Sequence, residues 1–176
     1  MTLELTTARL KLRPFVESDL NDYFEIVKNQ QSAKAAGFQY ARNLEDAHYL
    51  LKQTMRQGFV LAVVERTTAR VIGSIGFYDR ITSEGDVSDQ ECDLGYVLNE
   101  AYWGHGYMTE AGQALIHAVF DRQLFSVIWA SFLKTNAQSQ RVLVKLGFHY
   151  VDEFQHPQNA LYQPGQTEVI YQLVRA

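Results

Sequence analysis

Polar and apolar residues alternate over Arg9–Arg13, and the alternation ends at Pro14, the period-two signature of a strand with one buried face. Leu20, Tyr23, Phe24 and Val27 then fall at i, i+3, i+4 and i+7, which predicts an amphipathic helix with Ser18 placed to cap it. A second helix follows Asn43, with Ala47, Leu50, Leu51 and Met55 on its apolar side and Gly58 at its end. Three strands are predicted next. Phe59–Glu65 is almost wholly apolar, Arg70–Tyr78 is β-branched but interrupted by Gly73 and Gly76, and Glu91–Leu98 follows a polar loop, Thr82 to Gln90. A helix opens within Tyr102–Glu110 and carries Met108, Ala111, Leu115, Ala118 and Val119 on one face. Ser126–Leu133 reads as a strand, and Asn136–Leu146 as a helix stopped by Gly147. Phe148–Phe154 and Thr167–Val174 close the chain as two further strands.

The predicted order is β-α-α-β-β-β-α-β-α-β-β. Three consecutive strands favour an antiparallel meander. The strand–helix–strand unit from Glu91 to Leu133 needs a crossover, so its two strands can lie parallel. The fold class is α/β with a sheet of mixed direction, and a ligand is expected at the carboxyl end of the parallel pair.

Composition narrows the function classes. A chain of 176 residues fits one domain spanning 1–176, and 47% apolar with 12% aromatic residues can fill a core. Lys and Arg number 16 against 20 Asp and Glu, a net charge of -4 that argues against a nucleic-acid partner. The single cysteine, Cys92, excludes an internal disulfide framework, points to a reducing compartment and reads best as a small buried hydrophobe. His48, His105, His117, His149 and His156 lack metal-ligand spacing, so no metal is expected. No signal-peptide pattern is visible and the longest apolar run, Phe59 to Val64, is too short to span a bilayer; a cytoplasmic protein without membrane contact is expected.

Gly104-His-Gly106 falls between a strand and a helix N-terminus. Glycines there permit positive φ, and the first helical N–H groups with the helix dipole make an anion site. The same residues are also compatible with an ordinary turn. The dinucleotide fingerprint fails at Thr109, and no Lys-Ser/Thr follows at P-loop spacing, which speaks against a nicotinamide-dependent oxidoreductase and a nucleotide triphosphatase. A pyrophosphate with an extended arm, the shape of coenzyme A, stays open.

Leu94-Gly-Tyr-Val-Leu98, Tyr102-Trp-Gly-His-Gly-Tyr-Met-Thr-Glu-Ala111, Asn136-x-x-Ser139 and Lys145-Leu-Gly-Phe148, in that order, resemble the GNAT superfamily of acyl-CoA N-acyltransferases. With Thr7-Ala-Arg-Leu-Lys-Leu-Arg-Pro-Phe15 they are similar to its ribosomal-protein alanine/serine N-terminal acetyltransferase branch. The resemblance covers almost the whole chain. It implies a mostly antiparallel mixed sheet with helices on both faces and a splayed parallel strand pair holding acetyl-CoA. Gly104, His105, Gly106, Tyr107, Met108 and Thr109 would supply N–H groups to the pyrophosphate. Val97 and Leu98 would pair with the pantetheine arm, Asn136 would hydrogen-bond it, and the helix from Ser139 would flank the thiol end. His105, Lys134 and Arg141 are candidates for the remaining phosphate. Phe38, Tyr40 and the first two helices would build the acceptor pocket. The superfamily's frequent tyrosine, seven residues after Asn136, is Leu143 here, which leaves Ser139 as the nearest candidate acid.

Acetyl transfer to an amine passes through a tetrahedral oxyanion, which a backbone N–H of the strand ending Tyr96-Val-Leu98 would stabilise. The amine must be neutral to attack. An α-amine with pKa about 7.7–8.0 already has a useful neutral fraction, whereas a lysine-type amine near 10.4 carries about 3.4 kcal/mol more to overcome. Glu91 and Asp93, on one face of the strand entering the site, are the candidate bases, against the plainer role of strand-end carboxylates. Glu110, in the first turn of the glycine-opened helix, should point away from bound phosphates. The acceptor is expected to be a protein or peptide N-terminus; a polyamine or aminoglycoside-like amine, or a non-catalytic acyl-CoA-binding module, is the alternative. A homodimer is compatible with the exposed sheet edges.

Overall fold

The computed structural model describes residues 3–176. Its strands are β1 (Leu5–Thr6), β2 (Leu10–Pro14), β3 (Val60–Glu65), β4 (Val71–Ile81), β5 (Val87–Leu98), β6 (Val127–Leu133), β7 (His149–Gln155) and β8 (Thr167–Val174). The helices are α1 (Leu20–Val27), α2 (Gln30–Ala36), α3 (Leu44–Met55), α4 (Tyr107–Asp121) and α5 (Ala137–Lys145). All eight strands join one sheet in the order β1-β2-β3-β4-β5-β6-β8-β7. Every neighbouring pair is antiparallel except β5 and β6, which run parallel, as the crossover through α4 allows.

Helices cover both faces. On one, α4 and α5 bury Met108, Leu115, Val119 and Leu143 against Leu12, Ile75, Leu94 and Ile128. On the other, α1 and α3 bury Tyr23, Ile26, Ala47 and Leu51 against Val60, Ala62 and Val71. Leu143 and Leu115 are 1% and 0% exposed, so the period-3.6 stripes of α4 and α5 read from the sequence face the core, whereas Met55, expected on the apolar side of α3, is exposed at its end.

Strand β1 adds to the seven strands expected and β4 runs on to Ile81; four further local features differ from the sequence expectation, each for a physical reason. Helix α2 was not predicted: it buries only Ala33, so no apolar stripe marks it, and it is defined instead by its ends. Asn29 Oδ1 accepts the Ser32 N–H at 2.9 Å, and Gly37 closes the helix at φ 74°. Ser18 is not the cap of α1. It lies in the 3-10 turn Glu17–Asp19, where the buried Asp19 carboxylate accepts the Val16 N–H and a forked pair of 2.8 Å bonds from Arg13. Helix α3 ends at Met55, three residues before Gly58, with Arg56 still helical in conformation. Strand β5 starts at Val87, because the β4–β5 ribbon continues past the core as far as the Ile81–Val87 pair, where polar residues are tolerated on both faces.

Among the described residues no helix is long and apolar enough to cross a membrane, and no group of three or more His, Cys, Asp or Glu side chains is placed to hold a metal ion.

Candidate active site

The site begins where the sheet opens. Strands β5 and β6 pair only through Glu91–Val127, Cys92–Ile128 and Asp93–Trp129. Beyond these, β5 continues on β4 as far as Leu98 and β6 continues on β8 as far as Leu133, so the two diverge into a V. Asn99 donates its N–H to the Ile72 carbonyl across β4 at 2.8 Å. Alternation along an antiparallel strand turns the Val97 backbone the same way and the Tyr96 and Leu98 backbone into the V. The Leu98 carbonyl is already taken there, by Trp103 Nε1 at 2.9 Å. Tyr96 and the Leu98 N–H are therefore the groups available for strand-like pairing, while Val97 contributes its side chain.

A cleft of about 350 Å³ lies at the mouth of the V. Val97, Leu98, Gly104, Gly106, Tyr107, Met108, Thr109, Asn136 and Ser139, all singled out from the sequence, line it. Gly104 and Gly106 have φ of 79° and 78°, the left-handed region that other residues enter at a cost, so glycine is required here by conformation. Gly106 is the N-cap of α4 and has no side chain to cap with. The first helical bond is Glu110 N–H to the Gly106 carbonyl, 3.0 Å, which leaves the N–H groups of Tyr107, Met108 and Thr109 uncapped at the positive end of the helix. The charged side chains lining the cleft, Arg141 and Lys145, are both cationic. Uncapped donors, a helix N-terminus and two cations fit a pyrophosphate-bearing ligand.

The glycine turn is clamped from the far end of the chain. Arg9 donates to the His105 carbonyl at 2.8 Å and to Glu110 Oε2 at 2.7 Å, and its guanidinium covers the Tyr107 ring at 4.5 Å. Glu110 Oε1 also accepts the Arg9 N–H and the Thr7 hydroxyl. Burial pushes the Glu110 carboxyl up, but the three hydrogen bonds and the Arg9 charge outweigh it and hold the group below the usual carboxylate range. Glu110 thus points away from the cleft, as electrostatics demanded, and its partners are Thr7 and Arg9 of the opening motif. Tyr107 adds a bond from its hydroxyl to Glu65, 2.6 Å.

On the other wall, Asn136 caps α5 by accepting the Ser139 N–H at 3.1 Å, and Gly147 (φ 89°) ends that helix. Asn136 Oδ1 is occupied by this cap, so the amide Nδ2 is the end left for a ligand. The Tyr96 hydroxyl donates to the Ser139 carbonyl at 3.2 Å, and burial pushes the Tyr96 phenol up to about 12 despite that bond.

A second cavity, about 390 Å³, continues the cleft through the V; Ala35, Ala36, Tyr96, Val97 and Ser139 line both. Tyr23, Phe38, Tyr78 and Tyr162 wall it, with Thr54, Ser74 and Ser131 adding hydroxyls, and no charged side chain lines it among the described residues. The Tyr23 and Thr54 hydroxyls bond each other at 3.0 Å. The Tyr78 ring lies against Gly95 so closely that a Cβ there would stand 2.7 Å from it. Tyr162 reaches in from the β7–β8 loop, whose Gln163 donates to the Lys34 carbonyl of α2 at 2.6 Å.

Other candidates fall elsewhere. Glu91 and Asp93 are at the closed end of the V and line neither cavity. Asp93 accepts from Arg80 at 2.8 Å, Glu91 accepts from Trp129 Nε1 at 2.6 Å, and Arg80 stacks on Trp129 at 4.1 Å. His105 gives its carbonyl to Arg9 and does not line the cleft. Lys134 is bound to Glu153 at 2.8 Å; Lys145, which the sequence offered as part of a motif and not as a phosphate partner, lines the cleft beside Arg141. Phe38 lines the second cavity, whereas Tyr40 belongs to a separate cleft beside Arg42 and Glu25.

The family model "Acetyltransferase (GNAT) domain" matches residues 9–149. An uncharacterized N-acetyltransferase of Bacillus subtilis, YoaA, is 24% identical over 149 residues, 82% of this chain and 81% of that protein. A GNAT-family acetyltransferase from Bacillus anthracis superposes with a TM-score of 0.84 at 20% identity, covering 98% of this chain and 99% of that one. RimL, described as a ribosomal L7/L12 alpha-N-protein acetyltransferase and solved with coenzyme A, gives 0.78 at 17% identity, with 98% of both chains covered. The match across most of the sequence, on a splayed sheet whose glycine turn fits a pyrophosphate, makes this chain a member of the GNAT family of acetyltransferases, with acetyl-CoA as its cosubstrate.

Proposed function

We propose that this enzyme acetylates the α-amine of a protein or peptide N-terminus. The observation that carries the reading is the neutral acceptor cavity. A polyamine or aminoglycoside holds several positive charges at neutral pH, and burying them calls for carboxylates in the wall. Aromatic rings and hydroxyls suit a peptide terminus instead, whose remaining polar groups are amides and whose amine is already partly neutral. The RimL neighbour, an α-N-protein acetyltransferase by its description, is consistent with this acceptor.

In this reading acetyl-CoA lies along the cleft with its thioester at the crossing marked by Tyr96, Val97 and Ser139. The neutral amine arrives from the acceptor cavity and attacks the carbonyl carbon; the C–N bond forms to give a tetrahedral oxyanion, whose collapse breaks the C–S bond. The Tyr96 or Leu98 N–H, facing the V, stabilises the oxyanion. The proton lost by the amine ends on the sulfur, and the Ser139 hydroxyl, which borders both cavities, is the side chain placed to pass it or to hydrogen-bond the departing thiolate. Tyr96, held near 12, stays protonated and orients the first turn of α5 through the Ser139 carbonyl. No proton step is assigned to Glu91 or Asp93, which stand outside both cavities.

The test is acetyl-CoA-dependent thiol release with two acceptor pools at equal amine concentration. Lysine-free peptides beginning with Ala, Ser or Thr should be acetylated, and polyamines and aminoglycosides should give at most a few per cent of that rate. Release with the small amines alone would overturn the reading.

A further inference from the structure

The V has a floor that the acceptor reading does not use. On the α4–α5 face, Leu94 of β5 and Ala130 and Phe132 of β6 stand beside the first unpaired positions of the two strands, and Leu143 of α5 closes the space beneath them. All four line the inner cavity, next to Tyr96 and Ser139, although each is almost fully buried. None carries a polar atom. The hydroxyl-bearing residues Ser74, Tyr78 and Ser131 alternate with buried neighbours and so face the α1–α3 side.

The cavity therefore has two compartments. A peptide amine brings amides that need hydrogen-bond partners, so it belongs on the hydroxyl-bearing side. The floor is the apolar wall of that cavity, set in a core that otherwise packs to crystal-like density. It adjoins Tyr96 and Ser139, where the proposed function, on which this inference rests, puts the thioester. We infer that the recess of Leu94, Ala130, Phe132 and Leu143 is an acyl-chain subsite, and that the enzyme transfers straight-chain acyl groups longer than acetyl, of three and four carbons, from their CoA thioesters. The bond changes are those of acetyl transfer: C–N forms, C–S breaks and the amine's proton ends on sulfur. Ala130, the smallest of the four, sets the depth. The inference concerns the donor and does not depend on which amine accepts.

Equilibrium binding of CoA, acetyl-CoA, propionyl-CoA and butyryl-CoA without acceptor reads the subsite directly. Each added methylene should tighten binding about two- to fourfold. Thiol release with a peptide acceptor should then be at least as fast with propionyl-CoA as with acetyl-CoA at limiting donor. Ala130→Leu should lower the butyryl-to-acetyl binding ratio at least tenfold, and Leu143→Ala, which deepens the recess, should raise it. The opposite directions of the two variants separate the subsite from loss of folding. Binding that weakens with each methylene, or variants that move all thioesters equally, would overturn the inference. Failure of every CoA compound to bind would overturn it together with the use of acetyl-CoA. Inactivity toward peptides with the length dependence intact would overturn the acceptor assignment alone and leave the subsite standing.

Discussion

The two cavities that meet at Tyr96, Val97 and Ser139 are built on opposite plans. The cofactor cleft is made from backbone donors and one charge sign: two left-handed glycines, three uncapped N–H groups, Arg141 and Lys145. The acceptor cavity is made from side chains, six of them aromatic, drawn from α1, the segment after α2, α3, β4, β5, β6 and the β7–β8 loop among others, with no charge. A backbone site binds an anion whatever the protein's net charge, because its donors are fixed local dipoles. A neutral aromatic site selects by shape and by the acceptor's own protonation state. In the proposed function the difference divides control of the reaction: donor affinity lies with the conformation of a short turn, acceptor choice with rings drawn from half the chain.

Breaking the turn should produce the largest effect. Gly106→Val places a β-branched residue at φ 78°, a conformation such residues adopt only under strain of about 1–3 kcal/mol. The turn must shift to relieve it, because neighbouring atoms leave room: the nearest to a Cβ is Arg9 Nη2 at 3.6 Å. We expect KM for acetyl-CoA to rise about ten- to a hundredfold, the ratio that such a strain energy represents, while KM for the peptide changes little. Initial rates with each substrate varied in turn check this, and an equal rise in both constants would show that the two cavities are not independent.

The same contrast explains what could be read from the sequence. The glycine turn and the α5 cap are local: a few adjacent residues carry both the conformation and the chemistry, so Gly104, Gly106, Asn136 and Ser139 announce themselves. The parallel pair was legible because a crossover helix admits that direction. For the acceptor cavity only Phe38 and the first two predicted helices were legible, without the residues on them that line it. Tyr23, Thr54, Tyr78 and Tyr162 are ordinary residues on separate elements, and tertiary packing alone brings them together. Helix α2, which borders both cavities, has no apolar stripe and escaped the pattern altogether. The partnership of Arg9 with Glu110 spans 101 residues. Repulsion from a phosphate showed where Glu110 could not point; nothing local showed what it would meet.

At the crossing itself, Ser139→Ala should lower kcat about tenfold, the worth of one neutral hydrogen bond in a dry site. KM for both substrates should stay within about twofold, because the Asn136 cap and the Tyr96 contact use Ser139 backbone atoms, which the change leaves in place. Tyr96→Phe provides the counterpart. It removes the bond to the Ser139 carbonyl and should loosen the α5 turn, raising KM for acetyl-CoA as well as lowering kcat. Rapid-quench measurement of the acyl-transfer step separates the two variants.

A smaller effect is expected from Glu110→Gln. The group is one-fifth exposed, and after allowance for solvent screening its ion pair with Arg9 is worth about 1 kcal/mol. KM for acetyl-CoA should rise about fivefold as the turn loosens. The carboxyl's folded pKa lies below its unfolded value, so its stabilisation is complete above the unfolded value of about 4.3 and disappears as pH falls through the folded one. Denaturant unfolding should therefore show E110Q less stable than the parent at pH 7, with the gap closing below pH 4.

The smallest effect sharpens the comparison most. Asp93 lies on the same face of β5 as Gly95, which lines the acceptor cavity, two residues away; proximity alone would make it a base. Its surroundings argue otherwise. Burial raises its pKa, and the Arg80 guanidinium at 2.8 Å pulls it back without fully compensating. Asp93 Oδ1 and Glu91 Oε2 both face a cation stacked on Trp129, so the cluster rivets the closed end of the V, where β5 and β6 are still paired. Because the folded pKa is raised, ionised Asp93 costs stability as pH climbs from the unfolded value through the folded one. Asp93→Asn removes that cost along with the Arg80 attraction, and the net change should stay within about 0.5 kcal/mol. If the acceptor's own ionisation supplies the neutral amine, D93N should keep kcat within about twofold, and both enzymes should gain activity up to about pH 8 along the α-amine's titration. A pH–rate profile that drops a hundredfold in D93N, with acetyl-CoA binding unchanged, would instead extend the acceptor cavity to the Arg80 cluster and give it the charge that its wall otherwise lacks.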